Sequence, residues 1–332
     1  MAQSLGVVMD PIATIKPYKD STLAMLLAAQ ARGWPLWYME LGDLYLAGDR
    51  CHARMRPLRV RDDPDDWFTL GATRDAPLDE LPVVLMRKDP PVDMEYVHAT
   101  QLLELAERRG CLVVNRPAAL RDLNEKLATA WFPDCCVPTL VTRDMAQLAD
   151  FVATQGDAIV KPLDAMGGAS VFRVRGGDPN RNVIFETLTD QGRRYAMVQR
   201  FIPEISAGDK RILLLDGEPV PYALARIPRP GETRGNLAAG GTGRGIPLSD
   251  RDRWIAARVG PVLRERGVLF AGIDVIGDYL TEVNITSPTC IRELDAQFGL
   301  DIAGDLIGRI GERLDSPAAP GPLSGTACRD TP

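Results

Sequence analysis

The stretch from Phe270 to Arg292, FAGIDVIGDYLTEVNITSPTCIR, constrains the fold more than any other part of the chain. Two apolar runs flank Gly277-Asp278, a pairing that predicts two antiparallel strands joined by a tight turn. Side chains alternate faces along a strand, so Glu282 and Asn284 share one face, and the turn brings Asp274 close to it. Two carboxylates and a carboxamide then converge with oxygen donors only. That set suits Mg²⁺, which takes a few hard oxygens and keeps its other positions for water and phosphate. The spacing leaves two readings open: a metal site that handles nucleotide phosphates, or an acidic hairpin with a solvated face.

The chain has 332 residues, beyond the ~250–300 at which a single core stops growing, so two or three subdomains are expected. The first third alternates strand and helix. Leu5–Asp10 reads as a buried strand, Asp20-Ser21 caps a helix that ends at Gly33, and Leu36–Met39 is a second strand. A polar excursion, roughly 50–79, is followed by a strand within Leu81–Pro91, a helix over 94–109 and a strand over 112–115. This alternation predicts a doubly wound parallel sheet with ligands at the carboxyl ends of its strands. Arg87 stands at such an end, either as a charged loop residue or as a substrate contact. From about Leu123 the elements shorten, and β-rich segments with glycine loops take over. Helices are expected from Ser249 to Arg266 and from Asp301 to Leu314, and the Pro-, Ala- and Gly-rich tail after Asp315 is expected to be disordered.

Several residues in the second part can carry chemistry. Lys161 closes an apolar strand just before Met166-Gly167-Gly168, where a loop's N–H groups can wrap phosphate oxygens. A Gly-Gly pair between strands is also a common hairpin turn. Lys126 lies in a helical pattern, where a lone lysine is usually solvent-exposed. The run Arg226–Gly245 holds many glycines and Arg229, Arg234 and Arg244. It has no core-forming period, so it is either a linker or a lid that excludes water from a reactive intermediate. Ser287 and Thr289 lie in a turn whose hydroxyls and N–H groups can bind a carboxylate or oxyanion, and Arg292 can pair a carboxylate through two parallel bonds.

A net charge of −6 argues against general nucleic-acid binding. Six cysteines show no zinc spacing and fit scattered reduced thiols. No basic-then-apolar leader and no apolar run near ~18 residues is present, which predicts a cytoplasmic chain with no membrane contact.

Taken together, VMDPIATI, YMELGDLYL, LMRKDPP, VNRPAALRDLNEKL, KPLDAMGGASVFRV, GDKRILLLDGEPVPYALARIP, GETRGNLAAGG and LTEVNITSPTCIRE resemble the bacterial glutathione synthetases, members of the ATP-grasp ligases. The likeness runs from about Leu5 to Leu314, and the last three segments are specific to that family. It implies an N-terminal Rossmann-like α/β domain over 1–122 and then a two-part α+β ATP-grasp fold. That fold would comprise a small lid domain over 123–202 and a catalytic domain over 203–315 carrying a lid loop at 228–245, with a tail at 316–332. It further implies ligation of γ-L-glutamyl-L-cysteine to glycine with ATP, Mg²⁺ (Mn²⁺ as an alternative), and a homotetramer or homodimer.

Residue by residue, the resemblance makes Lys126 and Lys161 the nucleotide-phosphate lysines and Gly167-Gly168 the phosphate-covering loop. Gln199, Phe201 and Ile202 become the adenine-facing strand, Asp274, Glu282 and Asn284 the metal ligands, and Arg234 the centre of the mobile lid. Arg211, Arg234 and Arg292 are the candidates for stabilising charge during reaction. Arg87, Ser287, Thr289 and Arg292 are the candidates for substrate binding. Ala165 departs from the glycine that relatives often carry there, which would strain the loop if that position needs positive φ. Two rivals remain: another ATP-grasp carboxylate–amine ligase, and an ATP-binding protein without turnover.

Overall fold

The computed structural model describes residues 3–229, 231, 235 and 240–316. Three sheets divide it. The first contains β1 (Leu5–Val8), β2 (Leu36–Met39), β3 (Leu44–Ala47), β4 (Arg50–Val60), β5 (Phe68–Leu70), β6 (Arg74–Pro77), β7 (Val83–Met86) and β8 (Leu112–Val114). Its centre is parallel in the order β2-β1-β7-β8. The polar excursion supplies the antiparallel flank, β4 pairing with β2, β3, β5 and β6.

Helix α1 (Ser21–Ala31) starts where Asp20 accepts a hydrogen bond from the Leu23 N–H, and α2 (Met94–Glu107) starts likewise at Asp93. These side chains satisfy N–H groups that the first turn leaves free. Leu5, Val7 and Leu85 pack with Leu23 and Leu26 of α1, whereas Val8, Val84 and Met86 pack with Tyr96 and Leu103 of α2. The strands are therefore covered on both faces, which is why they read as unbroken apolar runs.

The second sheet has the order β11-β10-β12-β9 and is wholly antiparallel: β9 (Thr139–Thr142), β10 (Asp157–Pro162), β11 (Phe172–Arg175) and β12 (Ala196–Arg200). The short helix α3 (Pro117–Asp122) precedes it, and α4 (Met145–Gln155) and α5 (Arg181–Thr189) cover it. Its core is its own, built from Leu148, Val152, Val160, Phe185, Val198 and a few neighbours.

The third sheet comprises β13 (Asp209–Leu215), β14 (Glu218–Ile227), β15 (Thr242–Pro247), β16 (Phe270–Ile276) and β17 (Tyr279–Asn284), in the order β15-β14-β13-β16-β17. Helices α6 (Asp250–Glu265), α7 (Ile291–Phe298) and α8 (Ile302–Asp315) pack on it. Ser249 and Asp252 form a reciprocal capping box at the start of α6.

The first and third sheets share both of their hydrophobic clusters, so they form one body. Asn115 ties them at the centre. Its amide donates to the Phe270 and Ile285 carbonyls at 2.7 and 2.6 Å, and its oxygen accepts from the Leu269 and Phe270 N–H groups.

Three expectations change here. Lys126 does not lie inside a helix: α3 ends at Asp122, and a 3₁₀ turn begins at Leu127. Residues 123–136, grouped with the small domain on sequence, send Leu123, Ala128, Phe132 and Cys135 into a cluster shared by the first and third sheets. The glycine- and arginine-rich run is not a loop throughout. Arg226 lies on β14, and Thr242–Pro247 form β15, paired with β14 from Tyr222 to Ile227. Arg234 and the tail 317–332 lie outside the described residues.

Candidate active site

Two cavities meet between the second and third sheets. The first has about 990 Å³ of open space and is lined by Lys126, Lys161, Ala165–Ala169, Gln199, Phe201, Ile202, Asp209, Glu282 and Asn284, among others. The second is bordered by the loop 14–20, Asp89, residues 286–290 and Glu293. Glu125, Met166, Gly167, Arg211 and Asn284 line both, so the junction lies at these residues.

Each wall follows from local structure. β10 ends at Pro162 and delivers Lys161; the loop after it turns through Gly167 and Gly168, with φ of 65° and 80°. Those values favour glycine. Ala165 is not among the residues with positive φ, so the anticipated strain is absent, and its carbonyl accepts from Lys126 Nζ at 2.8 Å. β12 brings in Gln199, whose amide donates to Thr139 Oγ1 at 3.1 Å. The chain then leaves the sheet through Phe201 and Ile202, with the Arg173 guanidinium 3.6 Å from the Phe201 ring centre.

Lys126 is 2% exposed and Lys161 6%. Both approach one carboxylate oxygen, Glu282 Oε1, at 3.9 and 3.5 Å. Lys126 also bonds Glu125. Burial works to lower the Lys126 pKa, but Glu282 and Glu125 outweigh it and hold the ammonium charged. Burial raises Glu125, and the Glu282 charge raises it further. Two cations facing the glycine loop with acidic partners behind them form a receptor for a polyanion.

The hairpin forms as its pattern predicts. β16 and β17 place Asp274 opposite Glu282, and Asn284 opposite Gly272, which shares a face with Asp274. A bulge after Asp274 shifts the register, and the extra Thr281 bonds the Asp274 carbonyl. Glu282 and Asn284 reach the cavity. Asp274 lies beneath them, 1% exposed. Its carboxylate receives Arg211 at 2.5 and 2.9 Å, Arg226 at 2.8 Å and the Asn284 amide at 3.2 Å. Burial works to raise the Asp274 pKa; Arg211 and Arg226 more than reverse it, so the carboxylate is ionised.

The donor chemistry fits Mg²⁺ in kind. Glu282 and Asn284 offer oxygen to the cavity, Asn284 directing its N–H₂ to Asp274 and so freeing its own oxygen, while the Asp274 oxygens lie beneath them, engaged by Arg211 and Arg226. Among the described residues no three His, Cys, Asp or Glu side chains converge, so such a set needs the Asn284 amide.

The substrate-side candidates separate. Ser287 and Thr289 line the second cavity, and the Ser287 hydroxyl donates to Asp89 at 2.5 Å. Arg87 does not line either cavity. It is buried behind the wall, donating to Thr22 Oγ1 at 3.0 Å and to the Pro288 carbonyl at 2.9 Å, so it fixes the turn that Ser287 belongs to. Arg292 faces a different surface depression, with its guanidinium bound to the Pro17 carbonyl and to Asp62.

Three residues of the site escaped the sequence reading: Glu125, Asp209 and Arg226. Arg226 and Asp209 are directly paired across β13 and β14, and Arg226 donates to Asp209 at 2.5 Å. Burial pushes Asp209 up to about 6 despite that bond. The two-residue alternation Asp209–Arg211 on one strand was the available signal.

A model of the prokaryotic glutathione synthetase N-terminal domain matches residues 4–121, and one of the ATP-grasp domain of the same family matches 125–299. A glutathione synthetase of Pseudomonas putida is 62% identical over 314 residues, covering 95% of this chain and 99% of its own length. One of Escherichia coli is 57% identical over 310 residues, covering 93% and 98%. Among solved structures, the D-cycloserine synthetase DcsG superposes with a TM-score of 0.66 at 15% identity over 93% of this chain and 99% of its own. The ATP-grasp ligase PsnB, complexed with a minimal precursor, Mg and ADP, superposes with 0.60 at 16% over 94% and 98%. These two likenesses concern the fold. With both family models covering most of the chain and these identities holding over nearly its full length, the chain belongs to the prokaryotic glutathione synthetase family of ATP-grasp ligases.

Proposed function

We propose that the two joined cavities hold the two halves of one reaction: ATP in the first, γ-glutamylcysteine and glycine in the second, with bond exchange at Glu125, Arg211 and Asn284. The enzyme is an ATP-dependent ligase that makes glutathione, ADP and phosphate. The observation that carries the spatial assignment is the convergence of two buried lysines on Glu282 beside a glycine loop, at a junction that opens into a second, polar cavity.

Lys126, Lys161 and the Gly167-Gly168 N–H groups hold the triphosphate. Gln199, Phe201 and Ile202 form the wall for the base. Glu282 and Asn284, with Asp274 as the third oxygen, would hold Mg²⁺, which when bound supplies charge neutralisation for the moving phosphoryl group. The cysteinyl carboxylate attacks the γ-phosphorus, the bond to the ADP oxygen breaks, and an acyl phosphate forms. The glycine amine then attacks the acyl carbon and phosphate leaves, the amine proton passing to phosphate or water.

Arg211 is held by Asp274 with its fork at the junction, where it can stabilise charge on the transferring group and on the oxyanion. The segment around Gly235 and Arg234 serves as the cover that keeps water from the acyl phosphate. We place the enzyme in the cytoplasm as a homodimer or homotetramer. Five cysteines of the described residues are free thiols, and no helix among those residues is long and apolar enough to cross a membrane.

The test is product analysis: γ-glutamylcysteine, glycine and ATP should yield glutathione and ADP in equal amounts. ATP binding without ADP release would favour the regulatory reading. ADP release only with a different carboxylate–amine pair would favour another ligase.

A further inference from the structure

One oxygen of the proposed metal set is crowded. Asp274 Oδ2 accepts from Arg211 Nη2 at 2.9 Å and from the Asn284 amide at 3.2 Å, and Arg226 Nη2 lies 2.8 Å from it. The other oxygen, Oδ1, accepts from Arg211 Nε at 2.5 Å. A carboxylate oxygen offers about two lone-pair directions, so three nitrogens leave Oδ2 no place for a further partner. Two guanidinium charges on one carboxylate also oppose a divalent cation beside it. For Asp274 to join Glu282 and Asn284 around Mg²⁺, one nitrogen has to leave Oδ2.

Arg226 is the one with another acceptor at hand. Arg211 and Asn284 give their side-chain hydrogen bonds to Asp274. Arg226 stands directly opposite Asp209 across β13 and β14; its Nη2 donates to Asp209 Oδ2 at 2.5 Å and its Nε to the Asp209 carbonyl at 3.4 Å. Asp209 Oδ1 is buried and has no hydrogen-bond partner among the described residues. A buried carboxylate oxygen without a donor is costly, and a guanidinium prefers to hold a carboxylate through two parallel bonds. Asp209 thus holds Arg226 by one oxygen and has the second open to it. Transfer of Arg226 to Asp209 would keep every buried charge paired.

Resting on the metal set stated above, we propose that Asp209 is a positioning residue for that set: with Mg²⁺ bound, Arg226 leaves Asp274, closes a two-pronged pair on Asp209, and so releases Asp274 Oδ2 to the ion.

Two measurements test this. The first is the dissociation constant of ADP by calorimetry, with excess Mg²⁺ and with EDTA. The ratio of the two reports metal binding and cancels any direct contact of a substituted side chain with the nucleotide. Mg²⁺ should tighten ADP binding to the wild type. Asp209→Asn offers Arg226 an N–H₂ where an oxygen is needed, and should shrink the ratio by about tenfold. In an Arg226→Gln background the same substitution should change it by less than about twofold, because no guanidinium remains to be received. An equal loss in both backgrounds is a plain charge effect, and no loss in either means that Asp209 plays no part; both overturn the proposal. The second measurement needs no variant. A crystal structure of the wild type with Mg²⁺ and ADP should show Arg226 donating to both Asp209 oxygens and out of hydrogen-bond reach of Asp274. An ion on Glu282 and Asn284 with Arg226 still on Asp274 overturns the proposal alone. Mg²⁺ that leaves ADP affinity unchanged, or no ion at Glu282 and Asn284, overturns the metal set and the proposal with it.

Discussion

Glu282 illustrates how one side chain combines two duties. Its carboxylate neutralises Lys126 and Lys161, and its place beside Asn284 on the cavity wall puts it in the proposed metal set. Glu282→Gln keeps the shape and removes the charge. Turnover should fall by roughly two orders of magnitude, with the KM for ATP changing far less; initial rates at saturating Mg²⁺ check this, and an unchanged turnover would take Glu282 out of the metal set.

Asp295 is a residue of stability rather than of the site. Burial raises its pKa from 3.8 to about 6, and the charges of Asp301 and Asp305 add to the rise against the bond from the Ile302 N–H. Between about pH 4 and pH 6 the folded form keeps a proton that the unfolded chain has released, so stability falls as pH rises through that window. Asp295→Asn retains the oxygen that accepts from Ile302. It should gain about 1 kcal/mol above pH 6, after discounting for the solvent around a partly buried group, and nothing below pH 4. Urea titrations at pH 4 and pH 8 test the sign.

At the scale of elements, the hairpin β16–β17 was legible because two apolar runs, a Gly-Asp turn and a two-residue period all agree. The helices capped by Asp20, Ser249 and Asp301 were legible for a similar reason: the cap and the apolar period coincide. The extent of the Gly/Arg run was not. β15 is glycine-rich, TGRGIP, with only Thr242 and Ile246 of the types that favour a strand; it forms against the edge that β14 offers. Gly235, in the segment proposed as the cover, approaches β14 closely. A Cβ there would meet the Arg226 carbonyl at 2.2 Å and Asp209 Cβ at 3.2 Å, and backbone cannot move aside cheaply. Gly235→Ala should therefore reduce kcat/KM by roughly tenfold or more while leaving the melting temperature nearly unchanged; steady-state kinetics and calorimetry together check it.

For the whole molecule, the decisive fact is the division of cores. The first and third sheets are one body, stapled by Asn115, while the second sheet closes on a small core of its own. The first cavity lies across that division, with Lys161 and the glycine loop on one side and Glu282 on the other. Asn115→Ala would strand two carbonyls and two N–H groups in the interior. It should cost roughly 3–5 kcal/mol, measured by chemical denaturation; a loss below about 1 kcal/mol would show that the staple is dispensable.

The sequence by itself determined the strand–helix alternation, the capped helices, the oxygen face of the hairpin and the family, because these rest on period, turn chemistry and contiguous motifs. It could not decide which charges meet. Lys126 looked exposed and is buried. Arg87 and Arg292 looked free and are spent on Pro288, Pro17 and Asp62. Glu293 drew no notice and carries the unpaired oxygen. A charged side chain acquires its role from its partners, and those partners lie tens to hundreds of residues away along the chain. Only the tertiary structure assigns them.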